Sequence, residues 1–324
     1  MCLAFELHMP PTTSKEVKIS IVTPCYNEVE NVEPIHQAVR GIFSKLPEYT
    51  YEHLYIDNAS HDGTQELLRK IAASDRNVKV ILNARNFGHI RSPFYGLLQA
   101  SGDAVMLMAS DFQDPPELIP DFIAKWKEGF KAVVGVKQAS DETPLFFFVR
   151  KFYYKLVHKL ADIDIIQNFT GFGLYDRELI DVCRQLNDPY PYFRGIISEV
   201  GLASTMIPFH QPVRTRGFTK NNFYTLYDMA LLGITNHSKV PLRLATMIGF
   251  LLSVLCLLLA IGYFAAKLMF WMYFPMGMAP VIISVFLFSS VQLFFIGILG
   301  EYIGAIHTQV LDRPLVVEKE RINF

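Results

Sequence analysis

The sequence predicts an α/β domain followed by a two-helix membrane hairpin, and three observations predict it. Short apolar, β-branched runs alternate with helix-like stretches from Val17 to Val136. Two uncharged runs follow, 23 residues between Arg243 and Lys267 and 33 between Lys267 and Glu301. Half the chain is apolar, 51% hydrophobic with 13% aromatic, which excludes a disordered chain and supplies a packed core.

In chain order the expected strands are "VKISIVTP" (Val17 to Pro24), "EHLYID" (Glu52 to Asp57), "VKVILN" (Val78 to Asn83), "AVMLMA" (Ala104 to Ala109) and "KAVVGV" (Lys131 to Val136). Helices are expected between them, over Val32 to Leu46, Gly63 to Ala73 and Ile90 to Ala100. Near-continuous apolar strands alternating with helices indicate a mostly parallel sheet covered on both faces, a Rossmann-like domain. Ligands of such sheets sit beyond the carboxyl ends of the strands. Four of those ends carry polar clusters: Pro24, Tyr26, Asn27 and Glu28; Asp57, Asn58, Ser60 and Asp62; Arg85, Asn86 and Gly88; Asp111, Gln113 and Asp114. Each has a structural alternative, a helix cap at "DNASHDGT" or a proline-initiated helix at "QDPPE". Their convergence on one crevice favours a binding site.

Each uncharged run exceeds the roughly 20 residues that cross a bilayer as a helix. "IGFLLSVLCLLLAIGYFAA" has no polar face, unlike a soluble helix. Lys239 and Arg243 precede the first span, Arg313, Lys319 and Arg321 follow the second, and the linker "LMFWMYFPMGM" has no Lys or Arg. The positive-inside rule therefore puts both ends, and the large domain, in the cytoplasm. The opening "MCLAFELHMPPTTSKE" lacks the pattern of a secretory signal, and the four cysteines are scattered, which suits a reducing compartment and argues against structural zinc. The Asn-x-Ser/Thr triplets at Asn58, Asn168 and Asn236 are then chance matches. "PLFFFVRKFYYKLVHKLADI", Pro144 to Ile163, interleaves Arg150, Lys151, Lys155 and Lys159 with bulky apolar residues, as expected of an amphipathic helix on an anionic membrane surface. Net charge is -1, which gives no reason to expect a nucleic-acid partner. Neither G-x-G-x-x-G nor G-x-x-x-x-G-K-[ST] occurs, so a dinucleotide enzyme or P-loop ATPase is unsupported.

An ordered set of motifs resembles family 2 of the glycosyltransferases, of GT-A fold, and within it the membrane-anchored polyisoprenyl-phosphate glycosyltransferases. These are "VTPCYNE", "IDNAS" with "DGT", "NARNFGH", "SDFQDPPE", "RTRGFTK", "SKVPLRLATMIG" and "GILGEYIG". The resemblance covers nearly the whole chain. It implies an N-terminal extension over 1–16, a GT-A domain over 17–220 with the interfacial helix at 144–163, and a juxtamembrane segment over 221–241. Transmembrane helices at 242–267 and 276–300 and a cytoplasmic tail over 301–324 complete the division. Pro24, Tyr26, Glu28 and Asp57 would hold the nucleoside of a nucleotide sugar, with Asp57 accepting from the base and Arg85 assisting. Asp111 and Gln113 would ligate a Mg²⁺ or Mn²⁺ ion bridging the diphosphate. Asp111, Arg214 and Lys220 would be the catalytic residues, the two cations clamping phosphate oxygens.

What the resemblance implies is an inverting hexosyltransferase, UDP-glucose being the first donor to try and undecaprenyl phosphate the acceptor. It implies an enzyme of the cytoplasmic (inner) membrane, working as a homo-oligomer, commonly a tetramer. Two departures stand out. Ala109 replaces the first acid of the metal loop, and Gly171, in "NFTGFGLYDRE", replaces an acid of related enzymes. Asp176 is expected to serve a helix N-terminus. Gly297, Gly300 and Gly304 suggest close helix packing, within or between protomers. The alternatives are a catalytically degenerate nucleotide-sugar-binding scaffold, which Ala109 would favour, and a processive polysaccharide synthase. The second is expected to carry Q-x-x-R-W, whereas neither Trp126 nor Trp271 follows an arginine.

Overall fold

The structure is a computed structural model that describes residues 16–138, 166, 168–212, 240–270 and 278–324. Arg214, Lys220, the 144–163 segment and residues 221–239 lie outside the described residues.

Among the described residues eight strands form one sheet: β1 Val17–Cys25, β2 Tyr49–Asp57, β3 Val78–Asn83, β4 Ala104–Leu107, β5 Ala132–Lys137, β6 Phe169–Asp176, β7 Ser204–Phe209 and β8 Glu318–Ile322. Their spatial order is β7-β5-β6-β4-β1-β2-β3-β8. Six α-helices of the described residues pack on the sheet's two faces: α1 Val29–Phe43, α2 Thr64–Ser74, α3 Gly88–Gln99, α4 Ile119–Lys127, α5 Arg177–Leu186 and α6 Phe193–Val200. Alternate strand residues go to opposite layers. Ile19, Ile21 and Tyr55 join Val32, Ile35 and Leu68 under α1 and α2. Val22, Leu54 and Ile56 join Leu97, Leu179 and Ile197 under α3, α5 and α6. Helix α3 lies close because Gly96 has no side chain: a Cβ there would stand 2.8 Å from Val22 Cγ1.

The sheet is mixed rather than mostly parallel. Strands β1 to β4 run parallel to one another and β5 runs parallel to β7, but β6 is antiparallel to both β4 and β5, and β8 is antiparallel to β3. Strands β6, β7 and β8 fall outside the sequence expectation. In "FTGFGLYD" the glycines weaken the strand pattern. "EKERI" is a charged edge strand whose half-buried and exposed residues alternate.

β8 is fastened by side chains as well as by the ladder. Arg69 pairs with Glu320 at 2.7 Å, Tyr95 donates its hydroxyl proton to Glu318 at 2.9 Å, and Asn323 donates to the Ala72 and Val78 carbonyls. The chain leaving the second apolar helix is thus built into the sheet.

Toward the end of β2 away from Asp57, Glu52 is 2% exposed and ties three elements together. Lys18 and Lys79 each place Nζ 2.8 Å from its carboxylate, and the Ser20 hydroxyl and Ser101 N–H each donate at 2.6 Å. Burial pushes this carboxyl up, but these donors outweigh burial and hold it far below the usual carboxylate range. Glu52→Gln is expected to lose about 3 kcal/mol of stability, because two ammonium groups are left facing a neutral amide. In the wild type this contribution is present above the unfolded pKa near 4.5 and fades as pH falls below it toward the depressed folded value. Denaturation of both proteins at pH 7 and pH 3 checks this: the gap between them closes in acid.

Two further helices are long and apolar enough to cross a bilayer, α7 Val240–Met269 and α8 Met278–Val310. At 1.5 Å per residue α7 alone spans about 45 Å, longer than a hydrocarbon core of about 30 Å. Neither buries its apolar window against the chain, and a Cβ at Gly297, Gly300 or Gly304 would meet nothing within 4 Å. Among the described residues these glycines therefore serve no close packing within the protomer.

Candidate active site

The order of strands reverses at β1, which has β2 on one side and β4 on the other, the position where open α/β sheets leave a crevice. The register brings Cys25 level with Asp57, so both strands end at one height. The Met108 N–H donates to the Val22 carbonyl at 3.0 Å, which holds the end of β4 beside them.

The loops beyond these strands are sewn to one another. The Asn27 N–H donates to Ser60 Oγ at 2.8 Å, the His61 N–H to Asn27 Oδ1 at 2.9 Å, and the Glu28 N–H to Thr64 Oγ1 at 3.0 Å. Asp62 accepts from the N–H groups of Val29 and Thr64, so it ties α1 to α2 rather than acting as the N-cap of α2, which is Gly63. Asn58 is the hub of the next pair of loops. It donates to Asn86 Oδ1 at 2.9 Å and accepts from Phe87 N–H at 2.8 Å and Asn83 Nδ2 at 3.1 Å. Pro24, Tyr26, Glu28 and Asp57 are thereby gathered at the ends of β1 and β2. Arg85 lies exposed after β3, its guanidinium 4.1 Å from the Phe87 ring centroid.

Asp57 is fully buried. Oδ2 accepts from Ser60 N–H at 3.0 Å and Gln65 Nε2 at 2.8 Å, whereas Oδ1 has no hydrogen-bond partner among the described residues. Burial pushes its pKa up, and the Ser60 and Gln65 donors work against that shift. A buried, unsatisfied carboxylate oxygen costs free energy until a donor arrives. It suits an N–H supplied by a ligand.

Beyond β4 the chain turns sharply, with Phe112 in the left-handed region at φ 59°. The Ala109 N–H donates to Asp114 Oδ2 at 2.9 Å, and the Gln113 N–H to Asp111 Oδ1 at 3.2 Å. Asp114 is a buried organiser of the loop. Burial, with the Asp111 charge adding to it, pushes its carboxyl up to about 6 against the Ala109 N–H. The loop is thus shaped without an acid at position 109. Among the described residues no three His, Cys, Asp or Glu side chains form a metal cluster. Asp111 and Gln113 present one carboxylate and one carboxamide oxygen, a donor set that fits a hard divalent cation carrying most of its shell as water and substrate phosphate.

Asp176 is the N-cap of α5. It accepts from Glu178 N–H at 3.0 Å and also from Trp126 Nε1 at 2.7 Å and Lys131 Nζ at 3.1 Å, a structural role. At Gly171, φ is 106° and a Cβ would stand 3.4 Å from Leu107 Cδ2. His89 and Arg194, which sequence reasoning passed over, line a cleft beside the end of β4. Arg194 carries no motif around it, and only the fold brings it to this place.

Residues 20–183 match the family model described as glycosyl transferase family 2. The chain belongs to that family. Its fold is the GT-A-like mixed sheet described above, and it is a glycosyltransferase. A bactoprenol glucosyl transferase of Shigella phage SfII is 34% identical over 306 residues, covering 94% of this chain and 98% of that protein. An uncharacterized glycosyltransferase, YkcC of Bacillus subtilis (strain 168), is 34% identical over 308 residues, 94% of each. Among solved structures, glucosyl-3-phosphoglycerate synthase from Mycobacterium tuberculosis, in complex with Mn²⁺, UDP-glucose and phosphoglyceric acid, is 20% identical with a TM-score of 0.47. That match covers 68% of this chain and 78% of the other.

Proposed function

We propose that this glycosyltransferase moves a hexose from a nucleotide sugar, UDP-glucose first among candidates, to polyisoprenyl phosphate at the cytoplasmic face of a membrane, with inversion at the anomeric carbon. The observation that carries this reading is the extent of the kinship with the phage bactoprenol glucosyl transferase, which takes in the crevice and the apolar helices together.

Asp57 Oδ1 accepts the imide N–H of a uracil base, with Pro24, Tyr26 and Glu28 framing the nucleoside and Arg85 assisting at the rim. Asp111 and Gln113 would hold a Mg²⁺ or Mn²⁺ ion, and such an ion would supply Lewis-acid stabilisation to a departing nucleoside diphosphate. Arg214 and Lys220, outside the described residues, clamp phosphate oxygens. No general base is needed, because a phosphate monoester with a second pKa of about 6 arrives ionised. The glycine at 171, where related enzymes carry an acid, is compatible with that chemistry. What the protein must do is align the acceptor oxygen with the anomeric carbon and neutralise the leaving group.

α7 and α8 anchor the site at headgroup depth. Since β8 pairs with β3, the tail beyond α8 shares a side with the crevice, which supports a hairpin with both ends in the cytoplasm. The open glycine face of α8 suits helix packing between protomers, and a homo-oligomer, a tetramer first, is the assembly to test. The direct test is transfer of labelled glucose from UDP-glucose to undecaprenyl phosphate by the purified protein, counted in the organic phase with Mg²⁺, Mn²⁺ or EDTA. Metal-dependent label supports the reading. Nucleotide binding without transfer across a panel of UDP-sugars and GDP-mannose supports a scaffold instead.

A further inference from the structure

Beside the crevice lies a cleft of about 90 Å³, open to solvent on one side. Its walls are Ile90, Pro93 and Leu97 of α3, Leu107 at the end of β4, and Pro191 and Phe193 at the start of α6. Phe193 is held edge-on against Phe94 and Tyr175, at centroid distances of 5.7 and 4.9 Å, so this wall is fixed by packing. Gly171 also borders the cleft, and the space beyond its Cα faces Leu107. An acid at that position would bring a carboxylate to an apolar wall. The polar side chains of the lining are His89, Thr170, Tyr192 and Arg194, of which His89 and Arg194 can carry positive charge. Arg194 gives one of its five N–H donors to the Phe169 carbonyl at 3.2 Å.

A nucleotide sugar is an unsuitable occupant. Most of the lining is aliphatic or aromatic, and a sugar hydroxyl buried against that part would lose a water partner and gain none. The acceptor is the substrate with hydrocarbon, and it joins that hydrocarbon directly to a phosphate.

The cleft is also coupled to the second apolar helix. Asn187 Nδ2 donates to Asp312 Oδ1 at 3.3 Å, and Gln309 Nε2 in the last turn of α8 donates to Asp188 Oδ1 at 2.9 Å. These two acceptor and donor positions sit on the loop between α5 and α6, immediately before the Pro191 to Arg194 wall. Leu315 packs with Phe94 and Phe193 behind that wall, and Arg91 donates to the Pro314 carbonyl. These bonds set the wall of the cleft against the C-terminal end of α8.

We propose that the cleft seats the phosphate-proximal isoprene units of the acceptor, with His89 and Arg194 as partners of its phosphate. This rests on the reading of the chain as a polyisoprenyl-phosphate glycosyltransferase. The cleft sets which acceptors are aligned for reaction, and the remainder of the lipid tail stays in the bilayer.

The test uses the full-length protein in detergent, UDP-glucose, and farnesyl and undecaprenyl phosphates. Ile90→Trp, which fills the cleft, is expected to raise the KM for both acceptors at least tenfold and leave the KM for UDP-glucose unchanged. A wild-type-like acceptor KM in an active variant would overturn the proposal. A diazirine-bearing farnesyl phosphate, applied to the wild type, guards against a variant that misfolds. Labelling of peptides from 89–97 or 188–194, blocked by undecaprenyl phosphate, is the expected result, and labelling confined to α7 and α8 sinks the assignment. If the wild type transfers sugar to neither phosphate, the underlying functional reading falls too. Transfer with an insensitive cleft overturns only the cleft.

Discussion

Asp111→Ala is expected to lower the turnover of sugar transfer roughly 10²–10³-fold, the range seen when one preorganised charge-stabilising group is removed from an active site. The effect should be so large because the metal loop has little redundancy. Ala109 supplies no ligand, and Asp114 is buried and committed to the Ala109 N–H. Asp111 is then the one carboxylate of the loop's expected donor pair, beside the Gln113 carboxamide. Removing it loses the Gln113 N–H to Asp111 Oδ1 bond but keeps the shorter Ala109 to Asp114 bond that holds the loop. The affinity for free nucleoside without metal should change little, whereas the dependence of turnover on added Mg²⁺ or Mn²⁺ should be lost. Steady-state rates over a metal titration, with thermal melting to confirm folding, make the check. An Asp111→Ala enzyme of wild-type rate would show that this loop does not stabilise the leaving diphosphate.

Asp57→Asn is expected to weaken UDP binding by about 10- to 100-fold, the cost of exchanging a charged acceptor for a neutral or mismatched one at a buried hydrogen bond. The substitution is nearly isosteric, so Ser60 N–H and Gln65 Nε2 can keep one oxygen acceptor while the amide nitrogen takes the place of Oδ1. That nitrogen donates, and it would oppose the imide N–H of uracil. Cytosine has an acceptor at the same ring position. CDP should therefore lose far less affinity than UDP, or gain, and calorimetric titration of the two nucleotides against both proteins reads the change. Equal losses for the two bases would remove Asp57 from base recognition.

Much of the crevice was legible in the sequence because strand ends in an α/β sheet are functional by geometry, whatever the residues between them do. Tyr26, Asp57, Arg85 and Asp111 each follow an apolar run directly, so the runs located them without knowledge of the packing. Less legible were features built from residues distant in sequence. Strand β8 carries four charges in "EKERI" and reads as a solvated tail until Arg69, Tyr95 and the Ala72 carbonyl are seen to receive it. Strand β6 was hidden by two glycines, of which Gly173 leaves no room for a Cβ beside the Val133 carbonyl, and its antiparallel pairing with β4 and β5 makes the sheet mixed. The cleft is the clearest case. Ile90, Leu107, Gly171 and Arg194 share no local pattern, and no period in the sequence brings them to one wall. Caps were simpler: Asp176 followed by Arg177 and Glu178 signals a helix start, and Asp176 caps α5.

The central claim is a single displacement in which a lipid phosphate attacks the anomeric carbon without help from a protein base. The configuration of the product tests it most directly. Lipid extracted after reaction of UDP-glucose with farnesyl phosphate would be examined by ¹H and ³¹P nuclear magnetic resonance. The account predicts a phosphodiester joining farnesol to glucose, with the α linkage of the donor converted to β. A product that retains the α configuration would exclude a single back-side displacement by the lipid phosphate, and would contradict the account.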